Sequence, residues 1–183
     1  MDCLNCNSKA CKKSGADCNR GRDSVLSEYE APGTVRLYEN ADSLVSGGRA
    51  GTLSRLEEII EFSKAQGYSE VALAYCYSME KEAVKLKKIF EKNSLAVSSC
   101  RCTINGIKES DISPSLKGGV NCNPIGQALD LNSGSADLVI EMGLCLGHDI
   151  LFHKYLEKPF TVFAVKDRVH HHNPLAALEE IKE

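Results

Sequence analysis

Four short apolar runs, Val71–Cys76, Leu95–Cys100, Leu138–Gly143 and Phe160–Val165, alternate with segments whose apolar residues recur at helical spacing. Parallel strands need a long crossover, usually a helix, so this alternation predicts a mostly parallel sheet with helices on both faces. The expected fold is therefore α/β, an open sheet of about four strands.

The helical segments carry their own boundary signals. Leu53, Leu56, Ile59, Ile60 and Ser63 lie at helical spacing, Ser54 and Glu57 suit a capping box, and Gly67 follows as a stop. A second helix is expected over Met79–Asn93, with Ser78 as its cap and Ala83, Leu86, Ile89 and Phe90 as its apolar stripe. Asn123 before Pro124 marks another start. Shorter helices are expected at Ile150–Leu156, with Asp149 poised to cap, and at Leu175–Lys182. Residues 34–46 suit a short helix ended by Gly47, Gly48 and Gly51, and residues 103–120 read as a surface loop.

Residues 1–23 differ from the rest. They hold Cys3, Cys6, Cys11 and Cys18 among basic residues and almost nothing apolar, so they cannot bury a core and need a staple. Four thiolates at such short spacing meet the ligand count of tetrahedral zinc and of a cubane iron–sulfur cluster. Thiolates are soft donors, which excludes magnesium and calcium. The expected organisation is a metal-stapled segment, residues 1–23, followed by one α/β core domain, residues 24–183.

Composition narrows the partners. A net charge of −3 gives no general affinity for nucleic acid or anionic membrane, and no aromatic residue is interleaved with the basic residues of the first segment. The longest apolar run, near Leu138–Leu146, is interrupted by Glu141, Gly143 and Cys145 and is too short for a membrane span. The polar N-terminus is no signal peptide, so a cytoplasmic location is expected, where clustered thiols read as ligands or catalysts rather than disulfides. The nine cysteines are an odd number, in agreement.

The remaining cysteines fall at one place in the expected fold. Cys76 ends the first strand, Cys100 and Cys102 end the second, Cys122 precedes the Asn123–Pro124 helix start, and Cys145 follows the third strand. Open parallel sheets bind ligands beyond the carboxyl ends of their strands, where helix starts also stabilise thiolates. These five are expected to hold a second cluster or to act as a redox dithiol. The bland alternative is that each is a small buried hydrophobe. Near them, His148 suits a ligand or general acid–base, and Lys166, Asp167 and Arg168 leave the fourth strand on the same rim. Cys122, Cys145, His148, Lys166, Asp167 and Arg168 are thus the candidate catalytic residues.

The stretches CNPIGQALDLN (122–132), GLCLGHDILFHKY (143–155) and AVKDRVHHHNPLAAL (164–178), with EEIIEFSKAQGY (57–68) and the first cysteine cluster, resemble the uncharacterised metal-binding proteins grouped as domain of unknown function 1847. Those proteins occur chiefly in anaerobic bacteria and archaea. The resemblance runs from Leu53 onward and includes the cysteine cluster at the start; residues 20–50 match poorly. It implies metal binding and no established activity. It places Cys76, Cys122, Cys145, His148, Asp149, Lys166, Asp167, Arg168 and Asn173 in the family's motifs.

The leading functional expectation is an iron–sulfur redox protein or enzyme, with a four-iron cluster favoured, acting on a small-molecule substrate or redox partner at the strand rim. The first cluster would relay electrons or hold the tail in place. The rival is a non-catalytic zinc-binding module for sensing or trafficking. A flavin or nucleotide binder is disfavoured, because CYSMEK after the first strand lacks the glycine fingerprint.

Overall fold

The computed structural model describes residues 2–181. The chain divides into two compact units at Ala50–Gly51. The boundary expected after residue 23 falls inside a helix of the first unit.

That unit contains α1 (Ala10–Ser14), α2 (Arg22–Tyr29) and α3 (Thr34–Ser43). None of these helices buries a residue. Tyr29 and Tyr38 meet edge-on at 5.9 Å and join α2 to α3. Ring contacts of this kind supplement a core and do not replace one.

The second unit holds β1 (Glu70–Tyr75), β2 (Ala96–Arg101), β3 (Leu138–Met142) and β4 (Phe160–Ala164) in one sheet of order β2-β1-β3-β4. All the pairings are parallel, with Val71 opposite Val97 and Leu138, and Ile140 opposite Thr161. The expected α/β sheet is present, and every carboxyl end lies along one edge.

Helices cover both faces. α4 (Arg55–Gln66) starts with the expected Ser54–Glu57 capping box and stops at Gly67 in a left-handed conformation. With α5 (Glu80–Lys92) it packs over Val71, Leu73, Tyr75, Ile140 and Met142 through Ile59, Leu86 and Phe90. On the opposite face, Ala72, Ala74 and Val139 meet Ala128, Leu131 and Phe152 of α7 (Pro124–Ser133) and α8 (His148–Tyr155). β1 and β3 are buried on both sides, which is why their sequences are continuous apolar runs rather than alternating ones.

Several local expectations need correction. Ser78 does not cap α5; it sits in a 3₁₀ turn, Tyr77–Met79, and its hydroxyl faces the rim. Asp149 lies in the first turn of α8 rather than before it, and its carboxylate accepts from the Gly147 and Ile150 N–H groups. The loop expected over 103–120 contains a 3₁₀ turn at Ile104–Gly106, the short α6 (Glu109–Ile112) and an antiparallel bridge between Lys108 and Val120. The terminal helix α9 spans Ala176–Glu180, and Lys182, its expected end, lies outside the described residues.

Candidate thiolate site at the carboxyl rim

The strand order reverses between β1 and β3. From β1 the chain crosses outward to β2, and from β3 it crosses the other way to β4, which leaves a crevice at the carboxyl ends of the two central strands. Cys76 is the first residue past β1, and its N–H donates to Met142 O at 3.1 Å. Cys102 follows β2 and donates to Tyr75 O at 3.0 Å. Both are buried, each about 2% exposed.

Cys122 reaches them through its neighbour. The Asn123 N–H donates to Cys102 O at 2.6 Å, and the Asn123 side chain caps α7 by accepting from Gly126 N–H at 2.9 Å. The amide of Asn123 donates in turn to Ile104 O and Asn105 Oδ1. A Cβ at Gly126 would stand 2.1 Å from Asn123 Nδ2, so this close approach requires glycine. With the backbone tied in this way, the Cys122 thiol donates to Cys102 Sγ at 3.6 Å.

The hydrogen bonds continue beyond the thiols. Cys102 Sγ accepts from the Tyr77 N–H at 3.4 Å, and Cys102 neighbours Cys76. Cys76 Sγ lies 3.3 Å from Ser78 Oγ, which accepts from Lys166 Nζ at 2.9 Å. Cys122 is thus linked to Cys102, and beside them Cys76 is linked through Ser78 to Lys166.

This arrangement divides the protons. The Cys102 thiol holds Cys76 well below the ordinary thiol range; burial opposes the shift, and Ser78 and Lys166 add to it. Cys102 is correspondingly pushed up, first by Cys76 and then by burial. The two titrate as a coupled pair, with charge favoured on Cys76. Burial raises Cys122 as well.

The other expected residues separate into groups. Cys145 joins the rim from the β3 side, where Arg168 Nη2 donates to its sulfur at 3.2 Å. Lys166 packs over Gly143, at which a Cβ would lie 2.3 Å from Met79 Sδ and 3.5 Å from Lys166 Cε. His148 begins α8, and its Nδ1 is enclosed without a hydrogen-bond partner among the described residues. Asp167 turns its carboxylate into its own loop, accepting from Val169 N–H, His170 N–H and the His170 ring. Asn173 stays in that loop, its N–H donating to His170 O.

Cys100 does not join the sulfur chain. It shares the α7 side of the sheet with Cys102, as residues two apart should, but its thiol lies toward Arg101 O and Asp130. Burial, and then Asp130, pushes it up to about 12. It lines a separate cleft of about 420 Å³ with Tyr75, Thr103 and Asp130.

Sequence reasoning missed some contributors. Gln127 is fully buried on α7, and its amide donates to Tyr75 O and Cys100 O, fastening the ends of β1 and β2. Its signal was a polar residue on an otherwise apolar helix face. Glu141 is buried in β3 and paired with His153 Nε2 at 2.5 Å, while the His153 ring stacks on Phe160. A carboxylate within an apolar run was the signal there.

In the first unit, desolvation, Cys11 and Cys3 push the Cys18 thiol up, so these sulfurs are neighbours, whereas Cys6 is lowered by Ser8. Among the described residues, no group of three or more His, Cys, Asp or Glu side chains is arranged to hold a metal ion, at either end of the chain.

The family described as a protein of unknown function (DUF1847) matches residues 13–163. The chain belongs to this family. The matched stretch contains Cys18 and the five expected rim cysteines, and it ends before Lys166 and Arg168. An uncharacterised protein of Methanocaldococcus jannaschii is 40% identical over 184 residues, covering 97% of this chain and 93% of its own length. No solved structure matches the chain. Among the described residues, no helix is long and apolar enough to cross a membrane.

Proposed function

We propose that this family member is a cytoplasmic iron–sulfur redox protein whose working centre is held at the carboxyl rim by Cys76, Cys102 and Cys122, with Cys145 opposite, and that it acts on a small molecule there. The observation that carries this reading is the convergence of Cys122 on Cys102, sulfur to sulfur at 3.6 Å, beside Cys76 at the switch point of the sheet.

Thiolates are the donors such a group takes. Two thiolates on one tetrahedral metal ion, at bonds of about 2.3 Å, lie about 3.8 Å apart, close to the Cys122–Cys102 spacing, so this pair would share one iron. The Tyr77 N–H on Cys102 and the cations Lys166 and Arg168 offset thiolate charge, as sulfur-bound centres require. Structural zinc sites are closed, whereas Cys122 and Cys145 are only half-buried, which favours a working centre over a staple. An iron–sulfur group there would supply one-electron chemistry. The residues around it would bind and orient the partner, and Lys166 would hold Ser78 against Cys76.

A second reading belongs to the first unit. Its helices bury nothing, so structural zinc on Cys3, Cys6, Cys11 and Cys18 would provide the missing staple.

Purification without oxygen, followed by metal analysis and a visible spectrum, tests the proposal. Iron with a charge-transfer absorption that disappears in Cys76→Ser/Cys122→Ser is expected. Zinc alone, or no metal lost in that variant, overturns the rim centre.

A further inference from the structure

We infer that the rim seats a small oxyanion, such as a carboxylate, phosphate or sulfate group, between Lys166 and Arg168 beside the rim cysteines. This deepens the proposed function and rests on the rim being the working site, but not on which metal is held there.

The turn after β4 separates its charges. The Asp167 carboxylate is taken up inside the turn by Val169 N–H, His170 N–H and the His170 ring, each at 2.9 Å. The cations on either side face the rim instead. Lys166 Nζ stands at Ser78, past the end of β1, and Arg168 Nη2 stands at Cys145, past the end of β3. The two positive groups thus bracket the point where strand order reverses. Neither makes a salt bridge to a carboxylate among the described residues.

The remaining acidic groups of this region are occupied. Asp149 accepts from Gly147 and Ile150 N–H groups, and Glu141 is buried against His153. An ammonium carries three donors and a guanidinium five in a planar fork, so one bond from each leaves most of them free for oxygen ligands. Neutralising the thiolates does not use this capacity.

The turn is also held at a conformational cost. His171 and His172 adopt φ of 52° and 67°, two successive non-glycine residues in the left-handed region. Asp167 N–H donates to His172 Nδ1 at 3.2 Å, and His172 N–H donates back to Asp167 O at 2.8 Å. These bonds hold Asp167 within the turn. The Lys166 stem passes beside Gly143, the first residue after β3.

The test uses the full chain purified without oxygen, titrated calorimetrically with inorganic sulfate at ionic strength fixed with chloride. Saturable binding is expected, weakened roughly tenfold or more in Lys166→Met/Arg168→Met, the loss expected for charge-assisted hydrogen bonds. Metal content is measured in parallel, and a loss of sulfate binding that only follows a loss of metal overturns the inference. If the double variant does not fold, Arg168→Met, whose side chain is exposed, should still weaken sulfate severalfold. Absence of saturable sulfate binding, or binding undiminished in the variants, overturns the inference. Sulfate binding retained in protein that holds no iron would remove the iron–sulfur reading and leave the oxyanion seat standing.

Discussion

The sulfur of Cys122 lies 3.6 Å from that of Cys102, although twenty residues separate them in the chain. The backbone bond from Asn123 N–H to Cys102 O sets this approach, and both sulfurs are then presented to the same side of the rim.

Metal-free protein treated with diamide should therefore form disulfides within the Cys76, Cys102 and Cys122 trio, the Cys102–Cys122 bond among them, before any bond to Cys100. Closing the Cys102–Cys122 bond needs the sulfurs to come from 3.6 Å to about 2.05 Å, a side-chain adjustment rather than a backbone one. Peptide mapping reads the bond, and the oxidised protein should no longer take up rim metal. A map dominated by Cys100 would contradict the separation of that thiol from the others.

Replacing Gly126 with alanine should destabilise the protein, by roughly 1–3 kcal/mol. Alanine in a helix ordinarily stabilises by about 1 kcal/mol over glycine, so the sign is the test. Here the new Cβ falls on Asn123 Nδ2, displacing the cap and the tie to Cys102. Denaturant unfolding measures the loss, and an increase in stability would show that Asn123 moves aside freely.

The Glu141–His153 pair predicts a pH dependence. Burial raises the Glu141 carboxyl above its ordinary 4.5, against the lowering contribution of His153. The folded value exceeds the unfolded one, so this group's stabilising contribution is complete below 4.5 and is lost as pH rises through the folded value. Glu141→Gln should remove that fall. The stability of wild type relative to the variant, measured by urea unfolding, should decline from acid toward neutral pH. A pH-independent difference would mean that His153 fully compensates the burial.

Cys3→Ser/Cys6→Ser should remove about one metal equivalent and leave the first unit protease-sensitive, while the sheet unit still melts cooperatively. Unchanged metal content and an unchanged digestion pattern would rule out a staple at those cysteines.

The strands could be read from the sequence because β1 and β3 are buried on both faces and leave uninterrupted apolar runs. Their ends differ by a residue, Glu70–Tyr75 against Val71–Cys76, because a run records burial whereas the ladder stops where pairing stops. The gathering of Cys76, Cys102, Cys122 and Cys145 at one edge followed from strand order alone. What each sulfur touches did not. Lys166 and Ser78 are 88 residues apart, and only the β4 crossover brings them together. Ser78 has a good N-cap side chain, yet the 3₁₀ turn turns it toward Cys76. Cys100 and Cys102 share a side of the sheet but part company where β2 ends at Arg101. Glu141 and His153 were missed because their pairing depends on how α8 lies over β3.

The Asn123-to-Cys102 tie has a consequence for the segment it closes. Residues 103–121 leave and return at nearly the same point, with Asn105 and Ile104 fastened to Asn123 at the base and the Lys108–Val120 bridge above. Lengthening a loop whose ends are already pinned costs little, about 0.6 kcal/mol for each doubling. The exposed Ser115–Gly118 tip is thus a natural place for insertions to accumulate among relatives, and for an epitope or fluorophore-bearing peptide to be spliced in without moving either sulfur.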